Sequence, residues 1–375
     1  MGVVKLGDVA RESRLKWTKS KQDVPIVGLE HLIPDEIRFD AYDINTDNTF
    51  SKRFVKGQVL FGRRRAYQRK AAIAEFDGIC SGDITVIEAI EGKIVSELLP
   101  FIIQTPVFFD YANRGSAGSL SPRVKWEHLV DYEFELPSLE EQKVLADKLW
   151  AAYRLKEAYK KLLVATDEMV KSQFIEMFEN VESYCKLEDL ISDTFPGEWG
   201  SEPISENAIK VIRTTNFTNE GYLDLTDVVT RDIEPKKVVR KKLKQGDTIL
   251  ERSGGTKDNP VGRVVFFDEI GDYLPNNFTQ VLRPKESVNP VYLFYALYNS
   301  YNLNKAAMRA MASQTTGIQN LSMSDFMAKS IVLPSRDEQN KFEQIYRQAD
   351  KSKSVIQKAL VYLNDIQSGE LGKIA

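Results

Sequence analysis

An internal repeat constrains the fold of this chain more than any other feature. The segment Leu136–Gln142, with the letters LPSLEEQ, recurs 197 residues further on as LPSRDEQ at Leu333–Gln339. Two shorter matches precede it in the same order: KLGD at Lys5 pairs with KLED at Lys186, and KGQVL at Lys56 pairs with QGDTIL at Gln245. Chance explains one match easily but three in the same order poorly. The sequence therefore predicts a tandem duplication of a globular unit followed by a long helix.

Both long helices begin with the same N-terminal signal. Ser138 and Ser335 each follow a proline and precede a glutamate by three residues, which is the capping-box pattern. Apolar or small residues then recur every three or four positions over about 40 and about 33 residues, so each helix carries one narrow seam. The seams comprise Leu145, Leu149, Ala152, Tyr159, Leu163, Thr166, Val170, Phe174 and Met177, interrupted once by Lys156, and Phe342, Ile345, Ala349, Ser352, Ile356, Leu360, Leu363 and Ile366.

A seam of this length needs a partner face, and the other helix of the same chain can supply it. At ~1.5 Å per residue each helix spans roughly 50–60 Å. We predict a pseudo-twofold, antiparallel coiled-coil pair; the alternative is that each helix packs only on its own globular unit. We assign to the subunit interface the larger apolar seam residues, namely Leu145, Leu149, Tyr159, Leu163, Val170, Phe174, Phe342, Ile345, Ile356, Leu360 and Leu363.

The globular units combine strands and helices. Short β-type runs bounded by glycine occur at residues 58–62 and 82–87 in the first unit, and at 247–250 and 261–267 in the second. One helical stretch precedes each exit, at about residues 95–111 and 290–311. The predicted fold class is α+β, with two tandem globular domains separated by the two long helices.

Composition narrows the possible functions. The 375 residues carry a net charge of -3, so any nucleic-acid contact must come from local basic segments. Cys80 and Cys185 give no disulfide framework or cysteine-based zinc site, and His31 and His128 lack partners at metal-ligand spacing. This spacing leads us to expect no metal site. Since no signal peptide and no run of 18 apolar residues occurs, we also expect a cytoplasmic protein.

Motifs of nucleotide-dependent and DNA-modifying enzymes do not occur at the required spacing. Residues 254–257 (GGTK) lack the spacing of a P-loop, and residues 258–261 (DNPV) lack the second proline and the aromatic residue of an adenine methyltransferase tetrad. Residues 91–93 (EGK) resemble the end of a nuclease motif without its Pro-Asp upstream. We expect no catalytic residue and no bound cofactor; a nuclease or methyltransferase fragment is the alternative.

A basic segment follows the first predicted strand and has a polar counterpart in the second unit. Residues 61–70 (FGRRRAYQRK) carry five positive charges and no negative charge, and residues 251–257 read ERSGGTK. Arginine forks suit phosphate oxygens and guanine, and glycines permit close approach of the backbone. The alternative is a solvated charge run. We predict DNA contacts from Arg63, Arg64, Arg65, Tyr67, Gln68, Arg69, Lys70, Arg252, Ser253, Thr256 and Lys257.

A second pair of polar segments lies before each exit, at residues 114–123 and 313–320. Glutamine and asparagine can pair with adenine in the major groove, although turns and helix caps are the alternative. The DNA contacts predicted here are Arg114, Ser116, Arg123, Thr315, Gln319 and Asn320. Residues 236–244, with six positive charges, are assigned to a phosphate contact or a solvated face.

Two globular units that each leave through Leu-Pro-x-x-x-Glu-Gln into a long helix resemble the specificity subunits of type I restriction-modification enzymes. Gly57-x-x-Leu60-x-x-Arg63, Gly246-x-x-x-Leu250 and residues 78–83 (GICSGD) resemble the strand-and-loop pattern of that family. The resemblance covers essentially the whole chain through the order of its motifs. The second copy departs from it at residues 272–277 and lacks a triple-arginine loop.

This resemblance implies a division of labour along the chain. Residues 1–137 and 181–334 would be target recognition domains for the two halves of a split double-stranded DNA site. Residues 138–180 and 335–375 would be spacer helices that set the half-site separation.

The resemblance also implies partners. They would be methyltransferase subunits, as a pair, which hold S-adenosylmethionine, and restriction subunits, which use ATP and Mg. No membrane would be involved. The remaining alternative is a protein-interaction adaptor or decoy of such a complex.

Overall fold

The computed structural model describes residues 2–204, 208–315 and 317–374, with the main chain alone at residues 314 and 315. Within these ranges, no helix combines the length and hydrophobicity that a membrane span requires.

The N-terminal half contains nine strands and five α-helices in its described part. The strands are β1 (Gly2–Lys5), β2 (Ala10–Glu12), β3 (Ile26–Val27), β4 (Lys52–Phe54), β5 (Val59–Gly62), β6 (Ala71–Ile73), β7 (Gly78–Cys80), β8 (Ile84–Ala89) and β9 (Glu133–Leu136). The helices are α1 (Leu6–Val9), α2 (Leu99–Ile103), α3 (Pro106–Arg114), α4 (Trp126–Leu129) and the long α5 (Leu139–Phe178), with 3-10 turns at Leu29–His31 and Ala66–Gln68.

The C-terminal half repeats this order with additions. Its strands are β10 (Tyr184–Lys186), β11 (Ile191–Pro196), β12 (Ile209–Ile212), β13 (Val229–Arg231), β14 (Asp247–Glu251), β15 (Ser253–Gly254), β16 (Val264–Phe267), β17 (Tyr273–Pro275), β18 (Thr279–Pro284), β19 (Ala312–Thr315), β20 (Ile318–Leu321) and β21 (Ser330–Val332). Its helices are α6 (Leu187–Leu190), α7 (Pro235–Lys241), α8 (Pro290–Leu303), α9 (Lys305–Ala310), α10 (Met323–Met327) and α11 (Arg336–Leu371), with a 3-10 turn at Thr214–Asn216.

The sheets show the duplication directly. Both halves have a four-stranded antiparallel sheet of the same order, β2-β8-β5-β6 and β11-β18-β14-β16. Both also pair their first and last strands before the long helix, β1 with β9 and β10 with β21. The small mixed sheets differ in order, β3-β7-β4 against β13-β12-β17. The predicted α+β class and internal repeat are confirmed.

The shorter helical stretches are broken where the sequence supplies a new cap. Thr105 accepts a hydrogen bond from the Phe108 amide, and Pro106 at the first position of α3 cannot continue α2. Asn304 accepts from the Ala307 amide and thereby separates α9 from α8. The two continuous stretches predicted at 95–111 and 290–311 are therefore two helices each.

The chain divides into two compact units, and each contains parts of both long helices. The first unit is Met1–Lys161 with Ile356–Ala375, and the second is Leu162–Val355. The border between the two units therefore falls within α5, after Lys161, and within α11, before Ile356. The boundaries at residues 137/138, 180/181 and 334/335 concern functional segments and stay a prediction.

In the first unit, the start of α5 packs on its own domain and on the end of α11. The Trp150 ring lies edge-on to Phe101 with centroids 4.9 Å apart, and its indole donates to the Glu97 carbonyl at 2.9 Å. Ile374, just beyond α11, is buried in the same core as Leu145. The sequence left two alternatives, packing of the long helices on each other or of each helix on its own globular unit. Both occur here, because the start of α5 contacts its own domain and the end of α11.

The second unit repeats this arrangement with the end of α5 and the start of α11. The rings of Phe174 and Phe342 have centroids 5.1 Å apart, and Lys353 donates to Asp167 Oδ1 at 2.6 Å. In the first unit Lys156, which lies 197 residues before Lys353, donates to Gln367 Oε1 at 3.0 Å. Within each unit the two helices run antiparallel. Their 40 and 36 residues agree with the predicted long helices.

A buried glutamine explains the last residue of the repeated exit motif. Gln142 donates to the Pro137 carbonyl at 2.9 Å and accepts from the Val95 amide at 2.8 Å. Gln339 donates to the Pro334 carbonyl and accepts from the Asn289 amide at the same two distances. The two side chains are 1 % and 2 % exposed. Each glutamine thus bonds its long helix to the segment just before α2 in the first unit or just before α8 in the second.

The capping boxes form as predicted. Ser138 N donates to Glu141 Oε2 at 2.9 Å, and Ser335 N donates to Glu338 Oε2 at the same distance. The serine hydroxyl and amide lower the pKa of both glutamates, so the caps stay ionised. A depressed carboxylate pKa stabilises the folded state above its ordinary value and ceases to do so as the pH falls through the folded value.

Replacing Gln339 with alanine should lower the free energy of unfolding by about 1–3 kcal/mol, because the Asn289 amide would stay buried without its acceptor. Urea unfolding of the full chain measures this. Gln344→Ala is the matched control, since Gln344 lies exposed on the same helix. Equal stability of the two variants would contradict the anchoring role of Gln339.

Candidate nucleic-acid interface

The basic segment of the first unit forms the connection between β5 and β6, and we call residues 63–70 the arginine loop. The Gly62 amide donates to the Lys70 carbonyl at 2.8 Å and closes the loop. Arg65 and Arg69 have φ of 54° and 55°, in the left-handed region, on either side of the 3-10 turn Ala66–Gln68. Ala66 is buried and anchors the turn. The loop is therefore compact.

The second polar segment of the first unit contacts the arginine loop, and we call residues 114–123 the exit loop. The Arg65 amide donates to the Pro122 carbonyl at 2.8 Å, and Arg64 and Arg123 form an isolated antiparallel bridge. Ala117 and Arg123 exchange main-chain hydrogen bonds, which close the exit loop on itself. Two segments about 50 residues apart in sequence thus form one surface.

Asp83, just before β8, links the two loops through its side chain. Its Oδ2 accepts from Arg64 Nη1 at 2.9 Å, and its Oδ1 accepts from Arg123 Nε at 2.7 Å. Burial alone would raise the pKa of Asp83, but the Arg123 hydrogen bond and the charges of Arg123, Arg64 and Arg63 outweigh it and lower the pKa. Asp83 is therefore ionised and neutralises charge within the surface.

Other basic groups of the arginine loop also have partners within the unit. Arg69 Nε lies 2.6 Å from Asp35 Oδ1, and Lys70 Nζ donates to the Leu29 carbonyl at 2.7 Å. Arg65 Nη2 reaches the Leu120 carbonyl at 3.4 Å, a weak contact. These bonds hold the loop in shape.

A smaller set of predicted residues has no side-chain partner in the described part of the chain. Arg63 and Gln68 are half-buried, and Tyr67 and Arg114 are exposed. In contrast, the Ser116 hydroxyl donates to the Ala112 carbonyl at 3.0 Å and so ends α3. The unpartnered side chains are the ones available to an incoming ligand.

In the second unit the corresponding segments pair as a sheet. We call residues 252–257 the glycine loop and β19 with β20 the exit hairpin. Ser253 pairs with Asn320 and Gly254 with Gln319 in the sheet β15-β20-β19. The Ser253 hydroxyl also lies 2.8 Å from Asn320 Oδ1. Both units therefore bring the same two predicted segments together, by different bonds.

A buried ion pair shapes the glycine loop. Glu251 is 2 % exposed, and its Oε2 accepts from Arg263 Nε at 2.7 Å. The Gly255 amide donates to Glu251 Oε1 at 3.3 Å. Burial would lower the pKa of Arg263, but the Glu251 bond and charge raise it, so the guanidinium stays charged. Gly255 has a φ of 67°, and a Cβ there would lie 2.7 Å from the Val261 amide nitrogen.

The structure separates the predicted residues of the second unit by their surroundings. Ser253 is buried, so its hydroxyl ties the hairpin instead of facing solvent. Gln319 Oε1 accepts from the Val261 amide at 3.3 Å, and Thr256 Oγ1 accepts from the Asn259 amide at 3.0 Å. Lys257 is exposed.

Arg252 Nη1 makes a long contact of 3.5 Å with Gln280 Oε1. The side chain of Thr315 lies outside the described residues; its main chain pairs with Ile318.

Two basic residues beside the glycine loop were not identified from sequence. Lys305 Nζ donates to Asn259 Oδ1 at 2.9 Å, and Arg309 Nη2 donates to the Lys257 carbonyl at 2.7 Å. They lie four residues apart on α9, hence on one helix face. That spacing was the available signal, but nothing in the sequence placed α9 beside residues 257–259.

The structure shows how the seam residues lie within the chain itself, and their assignment to the subunit interface stays a prediction. Leu145, Leu149, Val170, Phe174, Phe342, Ile356 and Leu363 are buried within the chain's own units, and Tyr159, Leu163, Ile345 and Leu360 are half-buried. Large apolar residues that are exposed lie elsewhere on the helices, including Val144, Leu155, Leu162 and Met169 on α5 and Val355, Tyr362 and Ile366 on α11. The sequence did not distinguish these exposed residues from the seam.

One group of potential metal ligands occurs in the first unit. Atoms of Glu30, His31 and Asp43 lie within 4.8 Å of one another, which the sequence spacing did not indicate. His31 Nδ1 accepts from the Gly28 amide at 2.9 Å, so the neutral ring carries its proton on Nε2, which lies 3.7 Å from Asp43 Oδ1. This tautomer offers no lone pair to a cation in the group.

A cleft of 460 Å³ in the first unit is lined by charged groups that pair with one another. Lys160 lies 2.7 Å from Glu36 and 3.0 Å from Glu157, and Asp35 bonds to Arg69. Burial, with Lys160 nearby, lowers the pKa of Lys156, whose amine bonds to Gln367. The cations of the cleft thus have partners within their own unit, and among them Lys156 joins α5 to α11.

Gly255→Ala should destabilise the chain by more than Gly57→Ala. Both residues have positive φ, which costs an L-residue about 1–2 kcal/mol, but a Cβ at Gly57 meets nothing within 4 Å. The clash with Val261 should add about 1–3 kcal/mol. Thermal unfolding of both variants measures the difference, and equal losses would contradict the described shape of the glycine loop.

Comparison with protein families gives two matches along the chain. A family model for the type I restriction modification DNA specificity domain matches residues 1–163 and again 195–360. The specificity subunit of the type I restriction enzyme EcoDI from Escherichia coli is 32% identical over 89 residues, which are 24% of this chain and 19% of that subunit. The chain thus aligns with about a fifth of that relative's length.

Solved structures show the same fold. The S subunit of a type I restriction-modification system from M. genitalium superposes with a TM-score of 0.65 at 12% identity, covering 99% of this chain and 95% of that one. A second chain comes from a structural study of complex assembly and conformational transition of the type I R-M system. It superposes with a TM-score of 0.55 at 16% identity, covering 99% of this chain and 96% of that one. At these identities the likeness concerns the fold.

Proposed function

The chain belongs to the type I restriction modification DNA specificity family, and on that premise we propose that it recognises DNA sequence for a type I restriction-modification complex. Each family match would contact one half of a bipartite double-stranded site. The arginine loop with the exit loop would serve one half-site, and the glycine loop with the exit hairpin would serve the other.

The observation that carries this proposal is the pairing of the same two polar segments in both units. In each unit, the loop that follows strand β5 or β14 of the four-stranded sheet bonds through its main chain to a second segment. That segment lies just before the short helix α4 in the first unit and just before α10 in the second. A duplicated surface on a duplicated fold is what recognition of two separate DNA segments requires. Phosphate contacts supply affinity and base contacts supply sequence preference.

The charge of the chain is compatible with this role. Although the net charge is -3, the arginine loop carries five positive charges, and the side chains of Arg63 and Arg114 have no hydrogen bond or ion pair among the described residues. Tyr67 and Gln68 lie in the same loop as Arg63. An arginine fork can pair with guanine O6 and N7, and a glutamine amide with adenine N6 and N7.

We assign the chemistry to other subunits. Methyltransferase subunits would hold S-adenosylmethionine and modify adenine, and restriction subunits would use ATP and Mg. They would dock on the exposed apolar faces of α5 and α11, and the complex would act in the cytoplasm with its DNA. This chain would contribute binding and positioning, and no catalytic step.

Arg63→Ala should relax sequence preference in one half-site and leave the other unchanged. Loss of one arginine–guanine pair costs about 1–3 kcal/mol of discrimination. Sequencing of methylated DNA from cells that produce the methyltransferase complex measures both halves together. Arg11→Ala is the control, because Arg11 pairs with Glu88 at the end of β8 remote from Asp83. A methylated site set identical to wild type would refute the assignment of Arg63.

A second assay tests the division of labour. The purified chain, incubated alone with DNA, Mg and S-adenosylmethionine, should neither methylate nor cleave. With methyltransferase subunits present it should bind duplex DNA with steep salt dependence. Product formation by the chain alone would support the nuclease or methyltransferase alternative, and absence of DNA binding in the complex would support the adaptor alternative.

Lengthening both helices should change the spacer between half-sites. Four residues inserted after Ala165 and four after Val355 keep the helices in step, since these positions flank the Asp167–Lys353 bond on the same side. The added ~6 Å corresponds to about two base pairs. Four residues inserted after Gly271, in a surface turn, are the control. Methylation at the original spacing by the doubly extended chain would remove the ruler role.

A further inference from the structure

Asp83 is the side chain through which the arginine loop and the exit loop are joined. One carboxylate oxygen accepts from Arg64 of the first loop at 2.9 Å, and the other accepts from Arg123 of the second loop at 2.7 Å. A second Arg123 nitrogen approaches Asp83 Oδ2 at 3.4 Å. The carboxylate is half-buried at the base of both loops, so it is held while the guanidinium groups remain near the surface.

We propose that Asp83 is the positioning residue that sets the ratio of specific to non-specific DNA binding in the first unit. The inference rests on the proposed function. It assigns Asp83 two linked effects. The carboxylate holds two loops in one geometry, and it occupies two guanidinium groups that would otherwise bind phosphate at any sequence.

The first effect follows from the geometry of the loops. Apart from Asp83, the loops are joined by main-chain bonds such as Arg65 N to Pro122 O and by the weak contact of Arg65 Nη2 with the Leu120 carbonyl. These bonds fix the backbone at the base, whereas the bidentate carboxylate also fixes the directions of the Arg64 and Arg123 side chains. Base readout depends on such directions, because an arginine fork reads guanine only in one orientation.

The second effect follows from the charges. Arg64 and Arg123 are 39% and 45% exposed, so solvent and DNA can reach both. With Asp83 ionised, the three groups carry a net charge of one instead of two. Sequence-independent affinity grows with the number of phosphates that a protein neutralises, at ~0.9 in the logarithmic salt slope per phosphate. Asp83 therefore limits the non-specific component.

In the second unit the two corresponding segments are joined without a carboxylate, so this kind of link distinguishes the first unit. There the glycine loop and the exit hairpin are joined by the ladder between β15 and β20 and by the Ser253–Asn320 contact, all uncharged. The carboxylate of that unit, Glu251, pairs with Arg263 below the loop and is buried. Changes at Asp83 should thus affect one half-site, and the other half-site is an internal reference.

The test uses the full chain in its methyltransferase complex and two duplexes, one with the methylated sequence and one of scrambled sequence. For Asp83→Asn we expect tighter binding to the scrambled duplex, a salt slope steeper by about 1–2, and a specific-to-non-specific ratio lower by about tenfold. Methylation sequencing should show relaxed preference in one half-site. Asp83→Glu, which keeps the charge, should restore the wild-type salt slope.

Asp35→Asn is the matched control. It frees Arg69 in the same arginine loop but breaks no link to the exit loop. It should steepen the salt slope by at most about 1 and leave half-site preference intact. Relaxed preference in Asp35→Asn equal to that in Asp83→Asn would reduce the effect to charge alone and overturn the positioning role.

Arg123→Gln keeps the inference testable if Asp83→Asn does not fold. It breaks the same link from the exit-loop side, so it should also relax the half-site, but it should weaken binding to the scrambled duplex. An unchanged specific-to-non-specific ratio in both variants would overturn the inference while wild type still binds its site selectively. Failure of wild type itself to prefer its methylated sequence would instead overturn the proposed function.

Discussion

The hydrogen bonds of Gln142 and Gln339 are the interaction on which the rest of the structure depends. Each side chain joins the first turn of a long helix to the proline before it and to a backbone amide some 50 residues upstream. A helix that only abutted its domain could pivot about its apolar contacts. A buried amide with both ends satisfied allows one entry angle, because any other leaves a polar group unpaired. Loop positions in each unit are therefore defined relative to the helix that leaves it.

The two units solve one geometric problem with different chemistry. The first holds its paired loops with a carboxylate and two arginines, and the second holds them with a short β-ladder and a serine–asparagine contact. The shared scaffold is the four-stranded sheet, whose order is the same in both. The two halves differ in their loops, in the small mixed sheets and in elements that only the C-terminal half has among the described residues, namely α7 and the sheet β15-β20-β19. Such a division lets surface chemistry change while the buried framework persists.

Sequence reasoning captured what depends on local patterns. The duplication follows from short segments that recur in the same order, and the capping boxes at Ser138 and Ser335 and the length of α5 follow from residues near one another in the chain. It failed where the outcome depends on distant partners. Nothing near Asp83 indicates two arginines from separate loops, and nothing near Ser253 indicates that Asn320 will bury it. Periodicity indicated an apolar seam on α5 that packs against α11, but not that the same helix face would also pack on its own domain, as Trp150 does on Phe101.

Two lysines of the long helices, Lys156 and Lys353, have a consequence for helix pairing. Lys156 and Lys353 occupy equivalent positions of the repeat, and each finds a polar partner on the opposite helix within its own unit. An ammonium group among apolar side chains is costly unless a polar or charged partner lies within hydrogen-bond distance. Sliding one helix past the other by a heptad would separate each amine from its partner on the opposite helix. Within each unit, this polar contact favours one alignment of α5 with α11.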